Sequence, residues 1–325
     1  HADIDSAIKS MPHLKGIPII EKGNDHLTTE QTYAIKKEIV INNNLWKNTK
    51  KTPKGQPNIK CKIRLHTEFT GQGGSRPMNP TQRQAFNDIT NKQLNDGIIE
   101  TSNSSVSSTV FLVPKPGGTS FRVVQDYRAL NRCIQDDAYP LPLVEEKLAS
   151  IGKCKYFTSL DLVSAFWQVE LDEESRHLTA FRCPAGLFHY TRMPMGLKTA
   201  SGVFCRYLDT ILGQLRFEDV LSYLDDILIA SPTFEQHLDS LHKVLAKLDD
   251  AGLTLGTKKT VLAESETRFL GHIVDEDGLH PDPTKLKAIK EMPLPQTMPE
   301  LRAAMGLLAY YRKFIKNFSK VAEPL

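Results

Sequence analysis

The sequence predicts an α+β fold in which a sheet packs against helices on one face. Short apolar runs with strand character alternate with segments of helical period, but not in the strict strand–helix–strand order of a doubly wound fold. Two pairs of apolar runs are separated only by turn residues, which indicates hairpins and an antiparallel sheet. At 325 residues the chain is long enough for two or three lobes.

The first elements along the chain follow from caps and periodicity. Residues 1–66 are polar, rich in Asn and Lys and weakly periodic, so we expect a linker or lead-in with one helix near 28–40. Asn79 and Pro80 are typical of a helix start, and Gly97 is typical of a helix end. Apolar residues between them recur on one side, which predicts an amphipathic helix.

Strands dominate the middle of the chain. Residues 110–113 and 121–124 are apolar and flank a segment rich in Pro and Gly, which predicts a hairpin with a mobile tip. Further strands are expected at 156–160, 169–171 and 187–190, where apolar and aromatic residues form short runs.

Helices return in the second half of the chain. Residues 199–215 are expected to be helical. Ser231 and Pro232 open a strongly amphipathic segment that ends at Gly252. Thr297 lies three residues before a glutamate, the spacing of a capping box, so a last helical region is expected to begin there.

Two adjacent acids lie in a tight turn. Asp225 and Asp226 separate the apolar runs 220–221 and 227–230. Adjacent carboxylates disfavour each other's ionisation, and a divalent cation relieves that cost. A third acid, Asp161, ends an earlier apolar strand. Three carboxylates on neighbouring strand ends are able to hold two metal ions about 4 Å apart, the arrangement that drives in-line phosphoryl transfer.

Composition excludes several classes of protein. Apolar residues make up 40% of the chain and no apolar stretch reaches the length of a membrane span, so we expect a soluble globular protein with no membrane partner. The five cysteines are widely spaced without a CxxC pair, which argues against a zinc site and favours a reducing compartment. The chain opens on His1 rather than Met, so we expect a piece of a longer protein.

Basic residues are clustered although the net charge is only +3. Residues 36–64 carry many lysines against a single acid, Glu38. Basic groups bind phosphates and aromatic rings stack on bases, but for either cluster alone a solvated charged face over an aromatic core is the favoured interpretation. The second cluster mixes both kinds of side chain: Arg302, Tyr310, Tyr311, Arg312, Lys313, Phe314, Lys316, Phe318 and Lys320.

Longer motifs surround the acids in a fixed order. In order and spacing they resemble the reverse transcriptase of gypsy-type long-terminal-repeat retrotransposons, part of a Pol polyprotein, with retroviruses as more distant relatives. The resemblance covers residues 62–325. The motifs are Asp126-Tyr127-Arg128-Ala129-Leu130-Asn131, Tyr139-Pro140-Leu141-Pro142, Leu160-Asp161-Leu162-Val163-Ser164-Ala165-Phe166, Thr179-Ala180-Phe181-Arg182, Met193-Pro194-Met195-Gly196-Leu197, Tyr223-Leu224-Asp225-Asp226 and Phe269-Leu270-Gly271-His272.

The resemblance implies a right-hand polymerase with fingers, palm and thumb, in which an antiparallel palm sheet is backed by helices. The fingers would comprise residues 67–135 together with 171–194. The palm would comprise 136–170 and 195–282. Residues 283–325 would form the thumb or the start of a connection to a ribonuclease H domain.

The resemblance also assigns roles to residues. The catalytic and metal-binding carboxylates would be Asp161, Asp225 and Asp226, holding two Mg²⁺ ions, with Mn²⁺ as a substitute. The nucleotide site would be built from Lys115, Arg122, Phe166, Met195, Gly196 and Lys259. The turn that grips the primer end would be Phe269, Leu270, Gly271 and His272.

Individual roles follow from side-chain chemistry within that resemblance. Lys115 would reach the incoming triphosphate as a point charge, and Arg122 would clamp it with two hydrogen bonds. Phe166 would lie beneath the sugar and leave no room for a 2′-hydroxyl, although a core phenylalanine is the simpler interpretation of that position. Lys259 would protonate the departing pyrophosphate, unless it is an ordinary solvated lysine.

The sequence departs from the family pattern at several positions. Met195 stands beside the nucleotide pocket, where gypsy-type elements tend to have Phe and retroviruses Gln. Ser105 and Ser108 replace expected prolines, and Gln125 replaces an apolar residue. These changes are expected to loosen the fingers without removing a carboxylate.

The expected function is therefore RNA-directed DNA polymerisation by two-metal phosphoryl transfer during retrotransposon replication. Its partners would be an RNA or DNA primer–template and deoxynucleoside triphosphates, with ribonuclease H and integrase in the same parent polyprotein. The expected location is a cytoplasmic virus-like particle. Two alternatives stay open: an inactive or domesticated copy that only binds nucleic acid, and an RNA-dependent RNA polymerase, against which Phe166 argues.

Overall fold

The chain is described by a computed structural model over residues 2–48, 59–118, 120–140, 146, 149, 151 and 153–324. Several residues of the sequence motifs lie outside the described residues: Lys50, Lys51, Lys54, Thr119, Leu141 and Pro142. Among the described residues, no helix is both long and apolar enough to cross a membrane.

Two of the α-helices begin at caps that the sequence predicts. Asn79 and Thr297 each close a capping box with the residue three positions later, so both predicted helix starts are confirmed. The helix expected from Pro232 begins two residues later, capped by Thr233. The helices are α1 (Ala2–Lys9), α2 (Pro18–Glu21), α3 (Thr29–Ile41), α4 (Pro80–Asn95), α5 (Arg128–Cys133), α6 (Glu173–Arg176), α7 (Ala200–Leu212), α8 (Phe234–Asp250), α9 (Pro283–Lys290), α10 (Met298–Tyr310) and α11 (Phe318–Ala322).

The strands form small antiparallel sheets. They are β1 (Ile99–Thr101), β2 (Thr109–Pro114), β3 (Phe121–Asp126), β4 (Tyr156–Asp161), β5 (Phe181–Cys183), β6 (Gly186–Tyr190), β7 (Val220–Tyr223), β8 (Asp226–Ser231), β9 (Val261–Glu264), β10 (Thr267–Phe269), β11 (His272–Asp275) and β12 (Gly278–Pro281). The sheet orders are β1-β6-β5, β2-β3, β7-β8-β4-β9 and β10-β11-β12. Both predicted hairpins, β2–β3 and β7–β8, are confirmed.

One predicted strand is wrong. At 169–171 only Glu170 and Leu171 make isolated bridges, to Arg192 and Cys61. The segment instead follows a 3₁₀ helix at Ala165–Gln168. Its apolar residues are buried by packing against several elements, which gives the same sequence pattern as a strand.

The four-stranded sheet separates two apolar layers. On β8, Ile227 and Ile229 belong to the large core shared with α7 and α8, whereas Leu228 and Ala230 belong to a smaller cluster. Phe269 of β10 lies in the smaller cluster. Alternate strand residues therefore face helices on one side and the β10–β11 hairpin on the other.

The interpretation of residues 1–66 as a linker is wrong for the part at 2–48. These residues form α1–α3 and short 3₁₀ helices, and only α3 was predicted. Glu38 of α3 pairs with His242 of α8 at 2.9 Å. The segment joins the main core through apolar side chains that are at least 96% buried: Leu14, Ile17, Ile19, Ile35, Ile39, Leu45 and Trp46.

Candidate active site

Strand register brings two of the predicted acids together. Asp161 is the last residue of β4 and Asp226 the first of β8, and the two are directly opposed across the antiparallel pair. Directly opposed residues project from the same face of a sheet. By alternation that face also carries Phe157 and Leu228, so both acids lie on the side covered by the β10–β11 hairpin.

The third acid, Asp225, lies in the two-residue turn between β7 and β8. The turn is tight because Leu224 adopts a left-handed conformation with φ of 52°, which is uncommon for a residue other than Gly. The Asp225 carbonyl accepts a hydrogen bond of 3.0 Å from the backbone N–H of Leu162. This bond ties the turn to the chain that leaves Asp161.

The electrostatics of the acids are unfavourable without a cation. Burial, together with the neighbouring charges of Asp225 and Asp161, raises the pKa of Asp226 from 3.8 to about 6. Lys259 is the nearest compensating charge, with its Nζ 3.2 Å from Oδ1 of Asp161. The hydrogen bond to Asp161 and its charge raise the pKa of Lys259 in turn.

The donor chemistry of the three acids fits a hard divalent cation such as Mg²⁺, which prefers carboxylate oxygens. Burial and mutual repulsion raise the pKa of Asp226, and a bound cation would offset the cost of the ionised form. Within the described part of the chain, however, no three metal-ligating side chains converge closely enough to hold an ion as they stand.

A loop that the sequence did not single out supports Asp161 from behind. We call residues 254–260 the backing loop. The Gly256 N–H donates to the Asp161 carbonyl at 2.8 Å, and the Val163 N–H donates to the Thr254 carbonyl at 3.0 Å. Gln168 locks the two segments together: its amide group donates to Val163 and Thr254 carbonyls at 2.6 and 3.0 Å and accepts from the Thr254 N–H at 2.8 Å.

The sequence alone does not predict the hydrogen bonds by which the backing loop supports Asp161. Gln168 is a polar residue near the end of the Asp161 motif, but nothing local predicts that it bonds to main chain 86 residues away. The same is true of Lys259, which lies 98 residues from Asp161. Only the resemblance placed Lys259 near the acids.

Lys115 and Arg122 lie near the tip of the β2–β3 hairpin. Arg122 is opposed to Val113, and Lys115 follows Val113 by two residues, so strand alternation places both basic side chains on one face. The Lys115 N–H donates to the Ser120 carbonyl at 2.8 Å and closes the tip. Among the ion pairs of the described residues, none involves either side chain.

Phe166 is partly buried in the 3₁₀ helix that follows the Asp161 strand. Its ring meets Phe204 of α7 edge to face, with 5.6 Å between centroids. It also packs against the main core. This position satisfies the simpler interpretation of a core residue, and the exposed part of the ring leaves a surface for a ligand.

Gly196 lies in a turn that needs glycine, since its φ is 94°. Its carbonyl accepts a hydrogen bond of 2.8 Å from the side chain of Asn131, which itself accepts from the Lys198 N–H at 2.9 Å. The last residue of the Asp126–Asn131 motif thus fixes this turn. Met195, just before it, is 60% exposed and available to a ligand.

Residues Phe269 to His272 form the tight turn of the β10–β11 hairpin, with positive φ at Leu270 and Gly271. The aromatic residues of the second basic cluster hold this turn. The Tyr310 hydroxyl donates to the Leu270 carbonyl at 2.6 Å, and the Tyr311 hydroxyl donates to the Gly271 carbonyl at 3.3 Å. The His272 ring packs against both tyrosines at centroid distances of 5.3 and 5.7 Å.

Comparison with known proteins agrees with this geometry. Residues 113–274 match the family described as reverse transcriptase (RNA-dependent DNA polymerase). The chain belongs to the reverse transcriptase family. The retrovirus-related Pol polyprotein from transposon 297 of Drosophila melanogaster is 40% identical over 93% of this chain and 29% of that polyprotein. The transposon Tf2-3 polyprotein of Schizosaccharomyces pombe is 36% identical over 86% of this chain and 21% of that polyprotein.

The chain therefore spans less than a third of either relative. The predicted membership in the reverse transcriptases of gypsy-type long-terminal-repeat retrotransposons is confirmed. A solved structure of a foamy viral protease–reverse transcriptase in complex with double-stranded DNA superposes with a TM-score of 0.82. At 24% identity it covers 99% of this chain and 54% of that one, which confirms the α+β right-hand polymerase fold.

Two of the departures from the family pattern are buried in this reverse transcriptase. Ser108 on the chain before β2 is 4% exposed, and Gln125 on β3 is 9% exposed. Within the described residues, the Ser108 hydroxyl has no hydrogen-bond partner, whereas the Gln125 side chain is hydrogen-bonded with Tyr190. A buried polar atom without a partner is destabilising, so the serine at 108 carries a cost that the glutamine at 125 partly avoids.

Proposed function

We propose that the chain is an RNA-directed DNA polymerase that extends a primer on an RNA or DNA template during the replication of a gypsy-type retrotransposon. One observation carries the proposal: Asp161 and Asp226 are directly opposed on β4 and β8, with Asp225 in the adjoining turn. Family membership supports the same reaction, because the matching family is described as an RNA-dependent DNA polymerase.

The three acids would hold two Mg²⁺ ions, or Mn²⁺ in their place. When bound, these ions would lower the pKa of the primer 3′-hydroxyl and stabilise negative charge on the triphosphate as pyrophosphate leaves. The chain's own contribution is position: β4 and β8 place Asp161 and Asp226 side by side through register, and the turn adds Asp225. Strands suit this task because catalytic groups must be fixed within a fraction of an ångström.

Basic side chains would bind the triphosphate. Lys115 and Arg122 share one face of the β2–β3 hairpin and make no ion pair among the described residues, so both are available to phosphate oxygens. Lys259 already contacts Asp161 at 3.2 Å, and its raised pKa keeps it protonated at neutral pH. We propose that it gives its proton to the departing pyrophosphate.

The nucleotide itself would lie between Phe166 and the turn at Gly196. The exposed part of the Phe166 ring would fill the space that a 2′-hydroxyl needs and so favour deoxynucleotides. Gly196 lacks a side chain, which allows its backbone to approach the base, and Met195 would contact the nucleotide from the same turn. The turn at Phe269–His272 would hold the primer end on the face of the acids.

These roles correspond to the fingers, palm and thumb of a right-hand polymerase. Residues 67–135 with 171–194 would form the fingers, 136–170 with 195–282 the palm, and 283–325 the thumb or the start of a connection. The described part of the N-terminal segment belongs with the palm, since it packs on α8 and the main core. Ribonuclease H and integrase would be parts of the same polyprotein.

We place the activity in a cytoplasmic virus-like particle. The wide spacing of the five cysteines, without a CxxC pair, supports a reducing compartment. The foamy viral structure is a complex with double-stranded DNA, which supports a duplex primer–template as the ligand of this fold.

Primer extension tests the proposal. Wild type, Asp225→Asn and the matched control Asp277→Asn would be compared on poly(rA)–oligo(dT) with Mg²⁺ and dTTP. Asp277 is an exposed acid in another hairpin turn, away from the paired acids. We expect Asp225→Asn to lose at least about a hundredfold in rate, because a metal-stabilised transition state loses several kcal/mol, and Asp277→Asn to match wild type.

Other outcomes identify the alternatives. Equal incorporation by wild type and Asp225→Asn would exclude the proposed metal site. A wild-type chain that binds the duplex but extends nothing would be an inactive nucleic-acid-binding copy. Preference for ribonucleotides over deoxynucleotides on the same template would indicate an RNA-dependent RNA polymerase and contradict the role of Phe166.

A further inference from the structure

The N-terminal segment touches the backing loop through two specific contacts. The Leu255 N–H donates to the Leu45 carbonyl at 2.7 Å. The indole N–H of Trp46 donates to the Thr260 hydroxyl at 3.3 Å. Trp46 is 4% exposed and Thr260 is fully buried, so neither bond competes with water. A segment that the sequence suggested was a linker therefore holds both halves of this loop.

The same loop carries groups that touch Asp161. The Thr260 hydroxyl, which accepts from Trp46, also donates a hydrogen bond of 2.5 Å to the Gly256 carbonyl. The N–H of Gly256 donates to the Asp161 carbonyl at 2.8 Å, and a side-chain carbon at Gly256 would lie 3.4 Å from an Asp161 carboxylate oxygen. A continuous series of hydrogen bonds thus joins Trp46 to the main chain of Asp161.

Lys259 depends on the same anchoring. It lies next to Thr260 in the chain, and its Nζ is 3.2 Å from Asp161. Its side chain is 75% exposed, so nothing else confines it closely. The position of its ammonium group is therefore set mainly by the backbone of the loop.

We propose that Trp46 and Thr260 are positioning residues for the polymerase reaction. By fixing the backing loop they set the main chain of Asp161 and the reach of Lys259, so the N-terminal helices act as part of the active-site scaffold. This inference rests on the proposed function. Errors of about 1 Å in the placement of reacting groups cost on the order of a hundredfold in rate, so a released loop lowers turnover more than substrate binding.

The test uses the full chain and three variants. Thr260→Val removes the hydroxyl at nearly constant shape, and Thr260→Ser restores it. Glu38→Gln is the matched control, because it weakens another contact between the N-terminal segment and α8 without touching the loop. Primer extension would give kcat and the KM for dTTP. Hydrogen exchange would report the amides of Val163, Leu255 and Gly256, which bond within or to the loop.

The expected result is a fall in kcat of about tenfold or more for Thr260→Val with KM for dTTP changed less than about twofold. Exchange at the three amides should accelerate, and Thr260→Ser should recover both properties. Glu38→Gln should leave kcat and the three amides as in wild type, even where thermal stability falls. Trp46→Phe, which loses only the indole N–H, should reproduce the Thr260→Val pattern in weaker form.

Two outcomes would overturn the inference. The first is unchanged exchange at the three amides in Thr260→Val. The second is a loss of kcat that Glu38→Gln shares in proportion to its loss of stability, because that pattern indicates general destabilisation. A wild-type chain that extends no primer refutes the proposed function and with it the catalytic part of the inference, while the exchange data still decide whether Trp46 and Thr260 fix the loop.

Discussion

Replacing Asp226 with asparagine should stabilise the chain when no metal is present. In the folded state the pKa of this carboxyl is raised from 3.8 to about 6, first by burial and then by the charges of Asp225 and Asp161. That difference corresponds to about 3 kcal/mol of unfavourable free energy at neutral pH. Because the site is partly open to solvent, we discount it to about 1–2 kcal/mol.

The stabilising effect of Asp226→Asn should also depend on pH in a predictable direction. The folded protein binds a proton at Asp226 more tightly than the unfolded chain does, so the cost is fully present above pH 6, decreases as the pH falls from 6 towards 3.8, and is absent below that range. The stability gain of Asp226→Asn should therefore be full at pH 7.5, reduced to about half at pH 5 and largely lost by about pH 4. Magnesium should stabilise wild type and leave the variant unchanged.

Thermal and urea unfolding in EDTA measure this difference. We expect the midpoint temperature of Asp226→Asn to rise by roughly 2–5 °C at pH 7.5. Asp137→Asn is a suitable control, since Asp137 is 2.6 Å from the Arg206 guanidinium and loses a favourable ion pair. It should be less stable than wild type. The reasoning is refuted if Asp226→Asn is no more stable than wild type at pH 7.5, or if the gain persists unchanged at pH 5.

Three further predictions concern neighbouring groups. Burial lowers the pKa of His237 to about 4, so the free energy of unfolding should fall by up to about 3 kcal/mol between pH 6.5 and 4, as the unfolded chain takes up a proton first. Gln168→Met should lower stability by about 1–3 kcal/mol and reduce kcat, because it leaves the partly buried Thr254 N–H without its partner. Tyr310→Phe should cost about 0.5–1 kcal/mol and weaken primer binding, because the turn at Leu270 loses a hydrogen bond.

Each of the three predictions can be tested by a measurement that could contradict it. Urea unfolding of Asp226→Asn, which lacks the opposing titration of Asp226, should show the His237 effect, and a flat profile between pH 6.5 and 4 in that variant would contradict it. Steady-state kinetics on Gln168→Met would contradict the support role if kcat equals that of wild type. Duplex-binding titrations would contradict the role of Tyr310 if affinity is unaffected while stability falls.

Local signals explain what the sequence predicted well. Asn79 and Thr297 are caps whose partners lie three residues away, and Gly252 has a φ of 66° at a helix end. The turn at Leu224–Asp225 lies between apolar strands, which is enough to predict a hairpin. Such features depend on neighbours in the chain, so no tertiary information is needed.

The support of the site could not be predicted in this way. The contacts of Gln168 with Thr254 and of Trp46 with Thr260 join residues that are 86 and 214 positions apart. The short N-terminal helices bury apolar residues against distant elements, and their length is too small for a clear helical period. Strand register, which opposes Asp161 to Asp226, is also set by packing rather than by either strand alone.

The distance along the chain between Trp46 and Thr260 has a consequence for biosynthesis. The N-terminal helices leave the ribosome before the surface on which they pack is complete, because that surface includes a residue made 214 positions later. Contacts of such separation form slowly, because a long loop must close before they contribute. The helices at 2–48 therefore emerge early and dock late, and until they do their apolar side chains are open to aggregation or chaperones. Catalytic competence would be among the last properties that a newly made chain acquires.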